Sequence, residues 1–391
     1  MVCSLYIHIP FCRKKCDYCD FFSVVPGKTD STLFSGYILS LEKEIYARRS
    51  SFRIEGWKTV YIGGGTPSLL SPHNILELGR IIRLDGVLRL DEGIEWTIEA
   101  NPEDITAEWL EACAAAGISR LSLGIQTLND DSLIALGRRG GRKSSIRALE
   151  LVQRFWKGEV SLDFISGLPF QTEAVIESDF AAVFPFDPDH ISLYSLTIES
   201  GTPLAKQGHQ SLPDEDRSAD LWLAGRKILE NAGYRQYEVS NFAKPGRECR
   251  HNLTYWNMES YIGAGPGAAG TIITPEGAVR FENCKDIQKW SGNPAESFIT
   301  ETIDTHTAII EFLLMGMRLA AGIDCGEFER RFKTGVFQYI GGTLSRWEAK
   351  KLLRLADGRI ALTGEGLLYL NSFLTECIYE IEAYNKRYSQ E

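Results

Sequence analysis

Short apolar runs and helix-length amphipathic segments alternate from the first residues onward. "SLYIHIP" at 4–10, "TVYIGGG" at 59–65, "EWTIEAN" at 95–101, "RLSLGIQ" at 120–126, "VSLDFISGLP" at 160–169 and "HISLYSLTIE" at 190–199 have the length and β-branched or aromatic content of strands. Between and after them, 31–49, 72–84, 106–116, 129–156, 173–183 and about 214–232 carry apolar residues at helical spacing. Six strand-then-helix units predict a parallel sheet with right-handed crossovers. Polar or reactive groups fall where these strands end: Cys12, Gly63 to Thr66, Glu99 to Asn101, Gln126, Asp163 and Glu199. A ring of such groups at carboxyl ends of strands is the habit of barrel-type α/β folds, so the sequence predicts a partial (β/α)6 TIM-like barrel with an open side.

After about residue 233 the rhythm breaks into "YRQYEVSNFAKPGRECRHNLTYWNMESYIGAGPGAAGT", which reads as a loop-heavy, functional segment. From about 303 helical patterns return in "HTAIIEFLLMGMRLAAG", "CGEFERRF" and "LSRWEAKKLLRLA". "GRIALTGEGLLYLNSFLTECIYEI" then reads as a short strand or hairpin and a helix. The expected organisation is a barrel over 1–235, a Gly- and aromatic-rich segment over 236–300, and a small, mostly α-helical, winged-helix-like domain over 301–391.

Composition narrows the partners. A net charge of −10 disfavours nucleic acid or an anionic membrane as the main target. No apolar run reaches transmembrane length, and "MVCSLYIHIPFC" lacks the features of a signal peptide, so a cytoplasmic location is expected. In that compartment the nine cysteines read as free, metal-binding or catalytic thiols. Six are scattered, and structural packing is their default reading.

The other three, Cys12, Cys16 and Cys19 in "FCRKKCDYCDFF", stand at C-x3-C-x2-C spacing. Three thiolates on one tight loop suit an iron–sulfur cluster. Zinc usually wants a second ligand pair, which is lacking, and a disulfide would strand one thiol. With three cysteine ligands, a [4Fe–4S] cube keeps one iron open to a substrate or cofactor.

"YIHIPFCRKKCDYCDF" resembles the radical S-adenosylmethionine (SAM) superfamily, in the branch of oxygen-independent coproporphyrinogen III oxidases and their haem-chaperone relatives. The resemblance covers nearly the whole chain and implies a [4Fe–4S] cluster on Cys12, Cys16 and Cys19, with SAM chelated at the open iron. It implies electron transfer from the cluster to SAM, giving methionine and a 5′-deoxyadenosyl radical. "GGGTPS" at 63–68, including Gly65 and Thr66, is similar to the family's second-strand glycine motif, where a bare backbone can approach SAM. Glu99 in "TIEANPED" is a candidate for the ribose hydroxyls. Tyr6, Tyr18, Gln126, Arg138 and Asp163 match family positions that bind SAM, partly a second SAM in the oxidase, although "GRRGGR" leaves Arg138 and Arg139 as alternatives.

Two departures separate this chain from the oxidase. The oxidase pattern adds a fourth cysteine two residues beyond the motif, where this chain has Phe21, and it carries an N-terminal arm before the first strand. "RHNLTYW" at 250–256 instead resembles the H-N-x-x-Y-W signature of the haem-chaperone branch, with "YIGAGPGAAG" and "EFLLMGMRL" in keeping. That likeness marks His251, Asn252, Tyr255 and Trp256 as candidates for haem, by axial imidazole ligation and an aromatic face; bracing of a loop is the alternative. His8 is a second histidine near the cluster, with a structural role as its default.

The reading is a radical-SAM haem chaperone that binds haem and hands it to haem-requiring proteins such as those of respiration. Cluster and SAM would then serve dimerisation or transfer. An unidentified electron donor, membrane contact only through partners and a homodimer are compatible with it. The alternatives are a coproporphyrinogen III dehydrogenase, which uses the radical to decarboxylate two propionates, and a non-catalytic partner-binding role for the C-terminal domain.

Overall fold

The computed structural model describes residues 1–27, 31–83, 89–274 and 277–388. Six parallel strands occupy the predicted places: β1 (Val2–Ile9), β2 (Gly56–Gly64), β3 (Arg89–Ala100), β4 (Arg120–Gln126), β5 (Glu159–Ser166) and β6 (His190–Ser195). They pair in chain order. On the face away from the cleft, alternating residues such as Leu5, Ile7 and Ile9, Val60 and Ile62, or Leu121 and Leu123, are wholly buried in one core with apolar residues of the helices. The connecting helices start at side-chain caps on Thr106, Asn129, Thr172 and Asp214. Helix Pro72–Arg83 buries Ile75, Leu78, Gly79 and Ile82, an i, i+3, i+4, i+7 stripe, with Ile81 beside them.

Two expectations needed revision. The helix expected over 129–156 is two helices, Asp130–Ala135 and Arg142–Phe155, because "GRRGG" interrupts it and Gly137 takes φ +67°. The segment after 233 is less loop-like than its composition suggests. It contributes β7 (Arg235–Gln236), β8 (Asn241–Ala243), helix Arg250–Trp256, β9 (Tyr261–Ala264), β10 (Ala269–Thr274), β11 (Gly277–Asn283) and, just beyond, β12 (Phe298–Ile303). These strands extend the sheet to the order β12-β11-β10-β9-β1-β2-β3-β4-β5-β6-β8-β7. β9 lies parallel to β1 on the side away from β2, and β8 lies antiparallel to β6. The six-stranded arc is therefore flanked on both sides and does not close.

A second core runs from Ile309 to Ile381. Four helices, Thr305–Gly316, Cys325–Phe332, Val336–Ala349 and Leu370–Tyr388, pack with a three-stranded antiparallel sheet made by Ile323–Asp324, Arg359–Leu362 and Leu353–Ala356. Among the described residues no helix is long and apolar enough to cross a membrane.

Candidate functional site

The cysteine loop is pinched at its base and leaned against its neighbours. The Cys12 N–H donates to Val24 O (2.9 Å) and the Val24 N–H to Pro10 O (2.7 Å), which closes the loop directly after β1. At its far side the Asp17 N–H donates to Leu136 O (3.0 Å), and Asp17 O accepts from the Leu204 N–H (2.8 Å). The loop is thus tied to the segments that leave β4 and β6. All three thiols are free and border one cleft of about 390 Å³ at the carboxyl ends of the parallel strands. Thr66 Oγ1 lies 3.4 Å from Cys12 Sγ as a donor.

Burial pushes the Cys19 thiol up; the backbone of Phe21 opposes this, while the neighbouring Cys16 and Cys12 sulfurs add to the rise. Thiols that repel one another as thiolates are relieved by a shared cation, so the donor set fits a cluster. Among the described residues no three His, Cys, Asp or Glu side chains converge as ligands of a single ion.

The glycine motif has a packing reason of its own. A Cβ on Gly65 would stand 2.8 Å from Phe11 O and 2.9 Å from Ile9 O, and the Gly65 N–H donates to Ile9 O (2.7 Å). Gly64 has φ +113°, and a Cβ there would meet the His8 ring at 2.6 Å. Only a bare backbone lets β2 run this close beneath the root of the cysteine loop.

Carboxylates form the opposite wall. Glu99 accepts from Tyr61 OH (2.8 Å) and from the Gly64 N–H (3.1 Å). Burial lifts its carboxyl to about 7 against those two donors, and the nearby Asp163 adds to the rise. Asp163 accepts from Ser122 Oγ (2.9 Å) and Ser192 Oγ (2.8 Å), and burial raises it as well. Gln126 ends β4 with φ +67°, a left-handed conformation that a non-glycine residue adopts at a cost, and it too lines the cleft.

The two arginines separate clearly. Arg138 Nη2 donates to Gly124 O (2.6 Å), and its guanidinium meets Cys16 and Tyr18 on the cleft wall. Arg139 turns out to Asp104 (3.1 Å) and Glu103 (3.9 Å). Tyr18 borders the cleft, whereas Tyr6 stands behind it, stacked on Tyr61 at 6.2 Å with its hydroxyl on His8 Nδ1 (3.0 Å). His8 Nε2 lies 2.8 Å from Phe22 O and so carries the proton, which leaves Nδ1 to accept from Tyr6. Both nitrogens are thereby engaged. Tyr61, Ser122, Tyr194 and Thr197 also line the cleft and escaped the sequence reading. Tyr61 and Ser122 could have been found by following the inward register of each strand up to its end.

The H-N-x-x-Y-W stretch lies elsewhere. Helix Arg250–Trp256 starts on the buried carboxylate of Glu95, which accepts the Arg250 and His251 N–H groups at 2.8 Å each. His251 is fully buried, its Nδ1 is 2.7 Å from Thr59 Oγ1 and its Nε2 is 2.8 Å from Tyr255 OH. Burial lowers its pKa to about 3, so the ring is neutral. Hydrogen-bonded on both nitrogens and shut from solvent, it is engaged within the fold in this structure, the arrangement that bracing of a loop would give. Tyr255 packs edge-on to Tyr261 at 4.7 Å, and the Arg318 guanidinium lies 5.5 Å from the Trp256 ring. Asn252 is half-buried on the same helix, with its N–H toward Cys249.

A parallel strand arc with three free cysteines after its first strand, bare glycines after its second and carboxylates further round defines the class of radical SAM proteins. Residues 6–182 match the Radical SAM superfamily and residues 303–369 the HemN C-terminal domain. The chain is 34% identical over 368 residues to the heme chaperone HemW of Lactococcus lactis, spanning 93% of this chain and 94% of that one. It is 39% identical over 282 residues to HemW of Escherichia coli (71% and 72%) and 33% identical to the mitochondrial radical S-adenosyl methionine domain-containing protein 1 of Bos taurus (98% and 89%). The coproporphyrinogen III oxidase HemN of Escherichia coli superposes with a TM-score of 0.81 at 21% identity, over 96% of this chain and 89% of that one, and shares the fold. The chain belongs to the HemW haem-chaperone family of the radical SAM superfamily.

Proposed function

We propose that this protein is a cytoplasmic haem chaperone that binds haem and delivers it to haem-requiring proteins such as those of respiration, and that it carries a [4Fe–4S] cluster on Cys12, Cys16 and Cys19 with SAM beside it. The observation that carries the cofactor part is the meeting, on one cleft, of three free thiols, the bare Gly64–Gly65 backbone and the Glu99 and Asp163 carboxyls. The relatives named HemW support haem as the cargo.

When bound, the reduced cluster and SAM supply one-electron chemistry. The chain's own groups do the rest. Gly64 and Gly65 offer close backbone contact, Glu99 and Asp163 offer acceptors for hydroxyl or ammonium groups, and Arg138 offsets negative charge beside Cys16. Phe21, 61% exposed at the rim, puts an aromatic ring where the oxidase pattern has its extra cysteine. In this reading cluster and SAM serve cargo transfer or subunit association, with an electron donor and acceptor proteins outside the chain.

Anaerobic reconstitution tests the cofactor assignment: the brown absorbance near roughly 400 nm vanishes in the triple Cys→Ala variant, and its survival there would refute it. Haem titration in parallel with incubation on SAM and coproporphyrinogen III tests the cargo. Stoichiometric haem binding without turnover is expected, whereas repeated turnover to protoporphyrinogen would make the protein the dehydrogenase. Because His251 is spent on the fold, His251→Ala is expected to lower stability and leave the Soret maximum in place. A displaced maximum would restore His251 as the ligand.

A further inference from the structure

Where the barrel meets the C-terminal part of the molecule, a concavity of about 480 Å³ is walled from both sides. Helix Glu215–Asn231 and β7 form one wall; strands Leu353–Ala356 and Arg359–Leu362, with the turn that follows, form the other. Backbone contacts fix the walls to each other: the Ala320 N–H donates to Tyr237 O (2.9 Å), and Glu238 bridges to Leu319. The floor is apolar, made by the buried Tyr234, Leu362 and Leu367. Three arginines surround it, Arg226 from the helix, Arg235 from β7 and Arg354 from the C-terminal sheet, against the single carboxylate of Glu230. Arg226 is 17% exposed and already placed, with Nε on Glu230 (2.9 Å) and Nη1 on Gly364 O (3.1 Å). A Cβ on Gly364 would stand 2.7 Å from Arg226 Nη2, so a glycine admits the guanidinium at that turn. Arg235 and Arg354 are exposed, and among the described residues neither has a carboxylate partner. In a chain of net charge −10, two positive charges therefore stand unanswered in one concavity.

We propose that this concavity is a binding site for a nucleoside di- or triphosphate, its phosphates among Arg226, Arg235 and Arg354 and its base on the floor of Tyr234, Leu362 and Leu367. A cleft lined by one sign of charge focuses the field and concentrates ions of the opposite sign. Two unanswered positive charges in a small volume call for a group that holds two or more negative charges close together, which phosphate does and a lone carboxylate does not. Arginine at all three places suits oxyanions, because the planar guanidinium gives two parallel N–H donors to a pair of oxygens where lysine gives a point charge. The apolar floor favours a phosphate that carries an uncharged flat body over a bare inorganic ion. Arg226 and Arg235 belong to the barrel and Arg354 to the C-terminal part, so the ligand spans the junction between them.

This site does not rest on the haem reading. Isothermal titration calorimetry of the full cluster-loaded chain tests it, with SAM present in excess so that a nucleotide does not compete for the cleft at the strand ends. ATP is expected to bind with a Kd on the order of 10 to 100 µM at low salt, and several-fold more weakly at about 0.3 M salt. Arg235→Glu and Arg354→Glu, both at exposed side chains, are each expected to raise that Kd at least about tenfold with unchanged circular dichroism. Lys227→Glu, an exposed charge on the same helix outside the concavity, is expected to leave it within about twofold. Inorganic triphosphate is expected to bind at least about threefold more weakly than ATP; equal affinity overturns the nucleoside part of the assignment. Citrate that binds as tightly as ATP overturns the phosphate part. Absence of ATP binding up to about 1 mM overturns the site, as does a Kd indifferent to Arg354→Glu or one that Lys227→Glu raises equally.

Discussion

The cleft at the strand ends and the helix Arg250–Trp256 hold two sets of residues that the sequence marks with similar force, yet their surroundings are opposed. In the cleft, reactive groups converge with capacity to spare: the thiols are free, and Glu99 and Asp163 each accept only two described side-chain or backbone donors. On the helix, the histidine that stands out in the motif is already engaged on both ring nitrogens. His251 is held by Thr59 and Tyr255, and the helix start by Glu95. A signature in sequence therefore has two physical origins, a ligand to be met or a buried polar group to be satisfied, and only placement relative to the strand ends separates them.

Perturbing either region sharpens the contrast. The largest effect is expected at Gly65→Val, whose side chain would strike the Ile9 and Phe11 backbone. A loss of about 4 kcal/mol in urea unfolding is expected, together with loss of cluster absorbance on reconstitution. Glu95→Ala strands two buried N–H groups and is expected to cost about 3 kcal/mol while SAM binding in the folded protein is kept; a selective loss of SAM affinity would join the two regions.

The Glu99 carboxyl is raised to about 7 by burial. Its neutral form is favoured in the fold, so its contribution is fully present below its unfolded pKa and fades as pH climbs through about 7. Glu99→Gln should flatten that decline, by at most about 3 kcal/mol, in unfolding midpoints measured between pH 4 and 8 (roughly the span of the titration). Arg138→Ala is expected to weaken SAM binding about tenfold by calorimetry, against less than about twofold for Arg139→Ala. The smallest change is at Gln126→Gly, which removes left-handed strain: stability is expected to move by less than about 1 kcal/mol while SAM affinity falls.

Much of this was legible because it is local. The six parallel strands, their order and the cysteine loop follow from apolar runs and spacing within windows of a dozen residues. The glycine-rich stretch around Tyr261 was misjudged because β9 becomes a strand by lying beside β1, some 250 residues away in the chain, and "YIGA" carries little strand signal alone. Gly263 shows why its composition misleads: a Cβ there would fall 2.0 Å from Ala269 O, so the glycine serves a close β9–β10 approach rather than a loop. The surroundings of His251 were not legible because burial cannot be read from a motif; its partners in the fold, Thr59 and the Glu95 carboxylate, lie more than 150 residues away.

The position of β1 has a consequence for biosynthesis. As the first strand made it carries the cysteines at its tip, yet it is an interior strand, bonded to β2 on one side and β9 on the other. The far side of that pairing is fastened in turn by Glu44, which accepts from the Gly265 N–H just after β9 (2.8 Å), Asn283 Nδ2 (2.6 Å) and Trp290 Nε1 (2.9 Å). A nascent chain of 250 residues would hold every cluster thiol but only one wall of the strand that presents them. Since long-range pairing forms late, assembly of the metal centre in the growing cell must wait until about three quarters of the polypeptide has left the ribosome.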